Sequence, residues 1–531
     1  MLYADADLTL LYYHSLNRPR DFHNKVVWIT GASSGIGEHL AYVLVKLGAK
    51  LALSGVNIER LTSVGKRCKE ISNCAAEDIL LVPFQINKFE DHDECVKKVL
   101  DHFGQGYFEC LRNETLDENI KVTLVCPGPV FSGLVERCVT GNGEKYGHKQ
   151  QPTDKKMSTE RCCDLIATAI AYQLDECWIS MQPILFTYYM AQYIPTIFRT
   201  FIGKFLFNKE RVMKMRQGRI FLFLLYADAD LTLLFHHYLN RPRDFRNKVV
   251  WITGASSGIG ERLAYTLVKL GAKLALSGVN VERLTAVGER CKKISNCAAE
   301  DILLVPFQIE RFELHDECVK KVLDHFGQID ILINNAGRTL RANFVDTDIA
   351  VDQQLFNINV FGTINLTRKV LKHFLERKKG HIVINSSITG KLGMPYSCTY
   401  SGSKHALHGY FESLKTDLVD ENINFTLVCP GPVFSGVTES SLTGKIDEKS
   451  DLKQKATDIK MTTERCCDLM ATAIAYQLDE CWISLQPFLL IFYIGQYIPT
   501  KLRTWLITFI IQSYYKETKK CLAKRSDADS H

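Results

Sequence analysis

The chain repeats itself, and the form of the repeat limits its possible folds more than any other feature. YADADLTLL begins at Tyr3 and again at Tyr226, and KVVWITGASSGIGE at Lys25 and again at Lys248, an offset of 223 residues each time. The register holds to Gln105 and Gln328. Copy one then runs straight into GYFE at Gly106, whereas copy two reaches those letters only at Gly409. Copy one therefore lacks the 80 residues equivalent to Ile329–His408. Beyond the gap the copies run together again through LVCPGPVFSG, ERCCDL and AIAYQLDECWIS to QYIPT. The expected organisation is a truncated copy over 1–207, a linker over 208–225 with a basic KERVMKMRQGR stretch, and a complete copy over 226–531. A chain of 531 residues suits two domains.

In copy two, KVVWITGASSGIG is a β-branched run meeting a glycine-rich turn, and helix-forming ERLAYTLVKL follows at once. Strand, glycine loop and helix form the context a dinucleotide-binding loop requires. Gly254, Gly258 and Gly260 permit a tight turn and close backbone approach. The helix that follows points free N–H groups at a pyrophosphate, and Ser256 and Ser257 offer hydroxyl donors. Apolar runs at Lys273–Gly278, Ile302–Ile309, Ile329–Gly337, Gly380–Ser387 and Asn424–Val433 read as further strands. Helices are expected around Val281–Lys292 and Phe312–Phe326. Apolar strands alternating with helices predict an α/β fold with a Rossmann-type, doubly wound parallel sheet. Two tandem copies are expected, the first lacking central strands.

Tyr400 and Lys404 lie four apart in YSGSKHAL, a spacing that puts both on one helix face. A phenol titrates near 10, and a neighbouring ammonium lowers that value by favouring the phenolate. The pair is thus a candidate acid or base. Ser387 ends the fifth strand, with twelve residues between it and Tyr400, and its hydroxyl could hold a substrate oxygen. Asn359, in FNINVFG, could carry its amide toward Lys404 through a water. Plainer readings stand beside these: a surface pair, a turn cap and a buried amide.

TGASSGIG, NNAG, FNINVFG, the Ser–Tyr–Lys spacing and CPGPV occur in one order. In that order copy two resembles the short-chain dehydrogenase/reductase family. The resemblance implies four catalytic residues, Asn359, Ser387, Tyr400 and Lys404. The tyrosine would pass a proton to or from the substrate oxygen while hydride moves at the nicotinamide. Lys404 would also hold the nicotinamide ribose, and Asn359 would order a relay water. Cofactor contacts are implied at Gly254, Ser256, Ser257, Gly258, Ile259, Gly260, Asn335, Tyr400, Lys404 and Ser435, with no metal. ADADLTLL, KMTTERCCDLM, WISLQPFLL, QYIPT and SDADS are similar to a branch of that family tied to endoplasmic reticulum membranes and to reduction of steroid, retinoid and other carbonyl compounds. It implies a small hydrophobic carbonyl or alcohol substrate, NADP(H) over NAD(H), association with a membrane surface, and an open question of homo-oligomers. Two positions depart from the pattern. Ser277-Gly278-Val279-Asn280 has neither the arginine nor the acid usual after the second strand, although Arg283 lies one turn on. Gln308 stands where the family usually has aspartate.

Copy one keeps glycines at Gly31, Gly35 and Gly37 but has no equivalent of the four catalytic positions, so no catalysis is expected from it. The lost block should hold the fourth and fifth strands, leaving open edges. A rival reading is a pseudoenzyme or binding protein dominated by that copy. Net charge is only +6 and the basic residues are scattered, which argues against nucleic acid as a partner. The 18 cysteines show no ligand spacing and are expected to be mostly buried. No signal peptide is read at Met1. Apolar runs near Ile220–Leu225, Phe488–Phe492 and Leu506–Ile511 fall short of the roughly 20 residues a spanning helix needs. The two C-terminal runs are expected to cover a pocket or lie on a membrane surface, with plain core packing as the alternative reading.

Overall fold

The computed structural model describes residues 5–103, 122–185 and 228–497, with short breaks inside these ranges. The expected linker and the runs Ile220–Leu225 and Leu506–Ile511 lie outside the described residues. The chain divides into two compact units, Met1–Tyr193 and Ile194–His531.

In the first unit β1 (Val26–Ile29), β2 (Lys50–Leu53) and β3 (Ile79–Leu81) form one parallel sheet. A separate parallel pair is made by β4 (Leu124–Pro127) and β5 (Glu176–Ile179). The second unit continues with β6 (Val249–Ile252), β7 (Lys273–Leu276), β8 (Ile302–Leu304), β9 (Ile331–Asn334), β10 (Gly380–Asn385), β11 (Ile423–Pro430) and β12 (Glu480–Ile483). These seven join in one sheet of order β12-β11-β10-β9-β6-β7-β8, every pair parallel. This is the doubly wound arrangement, with its switch point between β6 and β9.

All four residues of β6 and of β9 are buried. Alternate side chains serve opposite faces, so a continuous apolar run is what a strand covered on both sides needs. Val250, Ile252, Ile331 and Ile333 pack toward the helices Gly258–Lys269 and Thr463–Ala475. Trp251 and Leu332 pack on the other side with Val370 and Phe374 of Thr363–Arg377 and with Leu407 and Phe411 of Cys398–Asp417. Helix boundaries follow local chemistry. The Asn280 side chain accepts from the Arg283 N–H at 2.8 Å and caps Val281–Ser295. Gly327, at φ +74°, ends His315–Phe326, and its N–H donates to the Leu323 carbonyl.

The gap in copy one has the structural effect its sequence implies. β1 repeats the VVWI of β6, but only Ile29 is buried. Leu124 of β4 is 57% exposed, whereas its counterpart Leu427 in β11 is 3% exposed. The helices beneath keep their contact: the Cys163 thiol donates to the Ile36 carbonyl as the Cys467 thiol does to Ile259, both at 3.4 Å. Among the described residues, no strands join β1 to β4 as β9 and β10 join β6 to β11.

The helix Phe488–Tyr497 buries Phe488, Leu489, Ile491 and Phe492 in the second unit, and Tyr493 lies on Trp482 with ring centres 5.0 Å apart. Its apolar letters thus serve the core, with Leu490 left half exposed. Among the described residues no helix is long and apolar enough to cross a membrane.

Candidate active site

The carboxyl ends of the adjacent parallel strands β6, β9 and β10 lie side by side at one edge of the sheet, and each leads into a loop. After β6 the chain turns through Gly254, at φ +64°, and enters the helix at Gly258, at φ +60°. A Cβ on Gly258 would lie 2.5 Å from the Ser435 carbonyl oxygen, and one on Gly260 would meet the Gly254 carbonyl and stand 2.6 Å from Asn335 Nδ2. These positions have no room for a side chain. Ser257, at the N-cap, makes no side-chain bond to the first turn, so its side chain leaves the leading N–H groups uncapped. Ser256 Oγ lies beside Gly278 at the end of β7, Ser257 is exposed, and Ile259 packs toward the core. A glycine-lined cradle at an open helix N-terminus fits a pyrophosphate.

Asn335 follows β9 and braces this loop. Its Nδ2 donates to the carbonyls of Thr253 at 2.9 Å and Gly254 at 3.2 Å, while its Oδ1 accepts from Asn385 Nδ2 at 2.8 Å. Thr253 Oγ1 accepts from the N–H groups of both Asn335 and Ala336 at 3.0 Å. The Asn335 side chain is thus spent on holding the loop. Asn385 and Thr253 were not singled out in the sequence. The available signal was a polar residue at the end of each of two apolar strands.

Lys404 is buried, and its ammonium donates to the Asn385 carbonyl at 2.9 Å. It sits 5.8 Å from the centre of the Tyr400 ring. Burial lowers its pKa to about 8. Tyr400 differs from expectation. Burial is the largest influence and pushes the phenol above its ordinary value, against a hydrogen bond with Ser387 and the charge of Arg341. The Lys404 ammonium is turned toward the Asn385 carbonyl and is itself desolvated.

Ser387 caps the short 3₁₀ turn Ile388–Gly390 and accepts from the Thr389 N–H at 3.2 Å. The plain cap reading and proximity to Tyr400 therefore both hold. Asn359 lies in a π-helical stretch, Asn357–Gly362, of the kind often found at functional sites. It grips the Arg338 peptide from both sides, Oδ1 accepting from its N–H at 2.8 Å and Nδ2 donating to its carbonyl at 2.9 Å. Nδ2 also donates to Ser403 Oγ at 3.0 Å, and that hydroxyl donates to the Tyr400 carbonyl at 2.7 Å. Asn359 and Lys404 both come within 4 Å of the point a Cβ on Gly337 would occupy. Gln308 and Arg283 are exposed, and no cation stands within Ser277–Asn280.

The short chain dehydrogenase family model matches residues 25–106 and 248–445, more than half of the chain. The chain belongs to the short-chain dehydrogenase/reductase family. Human "Dehydrogenase/reductase SDR family member 7" is 45% identical over 287 residues, 54% of this chain and 84% of that protein. Mouse "Dehydrogenase/reductase SDR family member 7B" is 34% identical over 260 residues, 47% of this chain and 80% of that protein. A solved short chain dehydrogenase/reductase from Burkholderia phymatum in complex with NAD is 24% identical, with a TM-score of 0.41 over 46% of this chain and 92% of that one. This short-chain dehydrogenase/reductase is an oxidoreductase that uses a nicotinamide cofactor. The first match ends at residue 106, where copy one loses its block, and the second runs unbroken through Asn359, Ser387, Tyr400 and Lys404.

Proposed function

We propose that copy two interconverts a carbonyl and an alcohol on a small hydrophobic substrate, with Tyr400 as acid and base. One observation carries the reading. Lys404 Nζ donates to the Asn385 backbone carbonyl, and the Asn385 side chain donates to Asn335, which in turn holds the carbonyls of Thr253 and Gly254. The proton-handling helix and the glycine cradle are thus parts of one rigid site. When bound, the nicotinamide supplies or accepts hydride. Gly254, Ser256, Ser257, Gly258, Ile259 and Gly260 would hold its phosphates, with Asn335 bracing the loop and Ser435 closing over Gly258. Lys404 would hold the ribose.

Tyr400 Oη exchanges a proton with the substrate oxygen, and Ser387 Oγ orients that oxygen beside it. Asn359 holds the Arg338 loop and, through Ser403, the turn of helix that bears Tyr400. Burial keeps the phenol protonated, so Tyr400 enters a reduction ready to donate. NADP(H) is proposed over NAD(H), with Arg283 as the cation nearest the end of β7. Copy one, over 1–207, is proposed to be catalytically inert, joined through 208–225 to the active copy over 226–531. Association with endoplasmic reticulum membrane surfaces is proposed with support from exposed Phe235 and Tyr238 on the helix Leu231–Tyr238.

The test is loss of NADPH absorbance with a panel of steroid, retinoid and quinone carbonyls. Turnover is expected from the parent protein and reduced at least about a hundredfold in Tyr400→Phe. Equal rates in the two would refute the assignment, and a kcat/KM at least tenfold higher with NADH would reverse the cofactor choice.

A further inference from the structure

Behind the proposed catalytic side chains lies a cluster of charge that the reaction does not use. Lys391 follows the turn Ile388–Gly390, four residues after Ser387. Its ammonium lies 2.9 Å from Glu480 at the start of β12 and 3.4 Å from Glu412 on the helix Cys398–Asp417. Only 17% of the Lys391 side chain is exposed. Burial works against its charge, but Glu480, Cys429 and Glu412 outweigh burial and hold the ammonium above its ordinary pKa. His408 completes the cluster. Its buried Nδ1 makes no hydrogen bond and faces Glu412 at 3.7 Å and Glu480 at 3.9 Å. A Cβ on Gly390 would come 2.9 Å from His408 Cδ2, so the imidazole backs the turn directly. A metal ion held by His408, Glu412 and Glu480 would have to displace the Lys391 ammonium, so the cluster is read as an ion-pair clamp.

The clamp connects two parts of the active site. Tyr400, Lys404, His408 and Glu412 recur every fourth residue and form one stripe along their helix. The Gly390 N–H donates to the Ser387 carbonyl at 2.9 Å, and the Lys391 N–H to the Ile388 carbonyl at 3.0 Å. We propose that Lys391 is a positioning residue: its ion pairs with Glu480 and Glu412 lock the turn bearing Ser387 against the helix bearing Tyr400. It touches no reacting atom. Its kinetic consequence rests on the dehydrogenase reading above; the mechanical one does not.

Four full-length proteins test this: the parent, Lys391→Met, Lys391→Arg and Glu412→Gln. The readouts are hydrogen exchange of the Gly390 and Lys391 amides and steady-state reduction of an aromatic ortho-quinone by NADPH. In Lys391→Met we expect exchange at those amides to quicken about tenfold and kcat to fall about tenfold, with KM for NADPH within about twofold. Lys391→Arg should restore both, and Glu412→Gln should move both the same way by less. Unchanged exchange, or faster exchange with unchanged kcat, overturns the proposal. So does a parallel loss of cofactor affinity and thermal stability that Lys391→Arg does not repair, which marks a merely structural lysine. If Lys391→Met does not fold, Glu412→Gln decides on the same readouts, since Glu412 is 58% exposed. A parent that reduces no carbonyl of the steroid, retinoid and quinone panel defeats the proposed reaction, and the exchange measurements alone then decide the clamp.

Discussion

Tyr400 and Lys404 are both displaced by burial toward their neutral forms, the phenol upward and the ammonium to about 8. Two predictions follow from that shared cause. In Tyr400→Phe, kcat is expected to fall by about 10²–10⁴-fold, the usual contribution of a positioned acid or base, while NADPH still quenches protein fluorescence. The second concerns stability. An unfolded lysine keeps its proton to about 10.4, whereas folded Lys404 releases its own near 8. Between those values the unfolded chain binds more protons, so this group makes stability rise with pH. The urea midpoint of the parent should therefore gain on Lys404→Met as pH goes from 8 to 10, and a constant difference between them would contradict the shift. The residue types at this site were legible from spacing alone. The direction of the Tyr400 shift was not, because four-residue spacing says nothing about how much water surrounds the phenol or where the ammonium points.

The elements that hold the site are strand ends and helix starts, and their tolerance is set by backbone approach. Gly258→Ala would place a methyl against the Ser435 carbonyl at a positive φ. It is expected to cost about 1–3 kcal/mol of stability. NADPH affinity should fall with it, read by urea titration and by fluorescence. Asn385→Ala removes the donor to Asn335 Oδ1 but keeps the carbonyl that receives Lys404. Leaving that oxygen unsatisfied is expected to cost about 1–3 kcal/mol, with a loosened glycine loop. β6, β9, β10 and β11 lie where their apolar runs placed them, because a strand buried on both faces has an unmistakable composition. The bracing role of Asn385 was hidden, since its partner lies 50 residues away in sequence and meets it only once β9 and β10 pair.

At the scale of the molecule, the two units share their letters but not their sheets. Among the described residues, the first has two separate sheet pieces and exposed apolar residues on them, while the second has seven contiguous strands and cores on both faces. Calorimetry of the full chain is expected to show two transitions, the lower from the first unit. NADPH at one hundred times its Kd should stabilise the upper by about 2.7 kcal/mol through mass action. A single transition, or equal protection of both, would mean that copy one retains more of the fold than its sheets suggest.

The sequence alone established the tandem repeat, the length of the missing block, the alternation of strands and helices, and the order of the glycine loop, Asn359, Ser387, Tyr400 and Lys404. These are properties of position along the chain, and periodicity and spacing read them directly. Only the tertiary structure decided which polar groups support that site: Asn385 between Lys404 and the loop brace, Ser403 between Asn359 and Tyr400, and the Lys391 clamp on Glu412 and Glu480. Each joins residues far apart in sequence. Burial raised the stakes of each contact, because a polar group taken from water must find a partner nearby, and the folded sheet determines which partner that is.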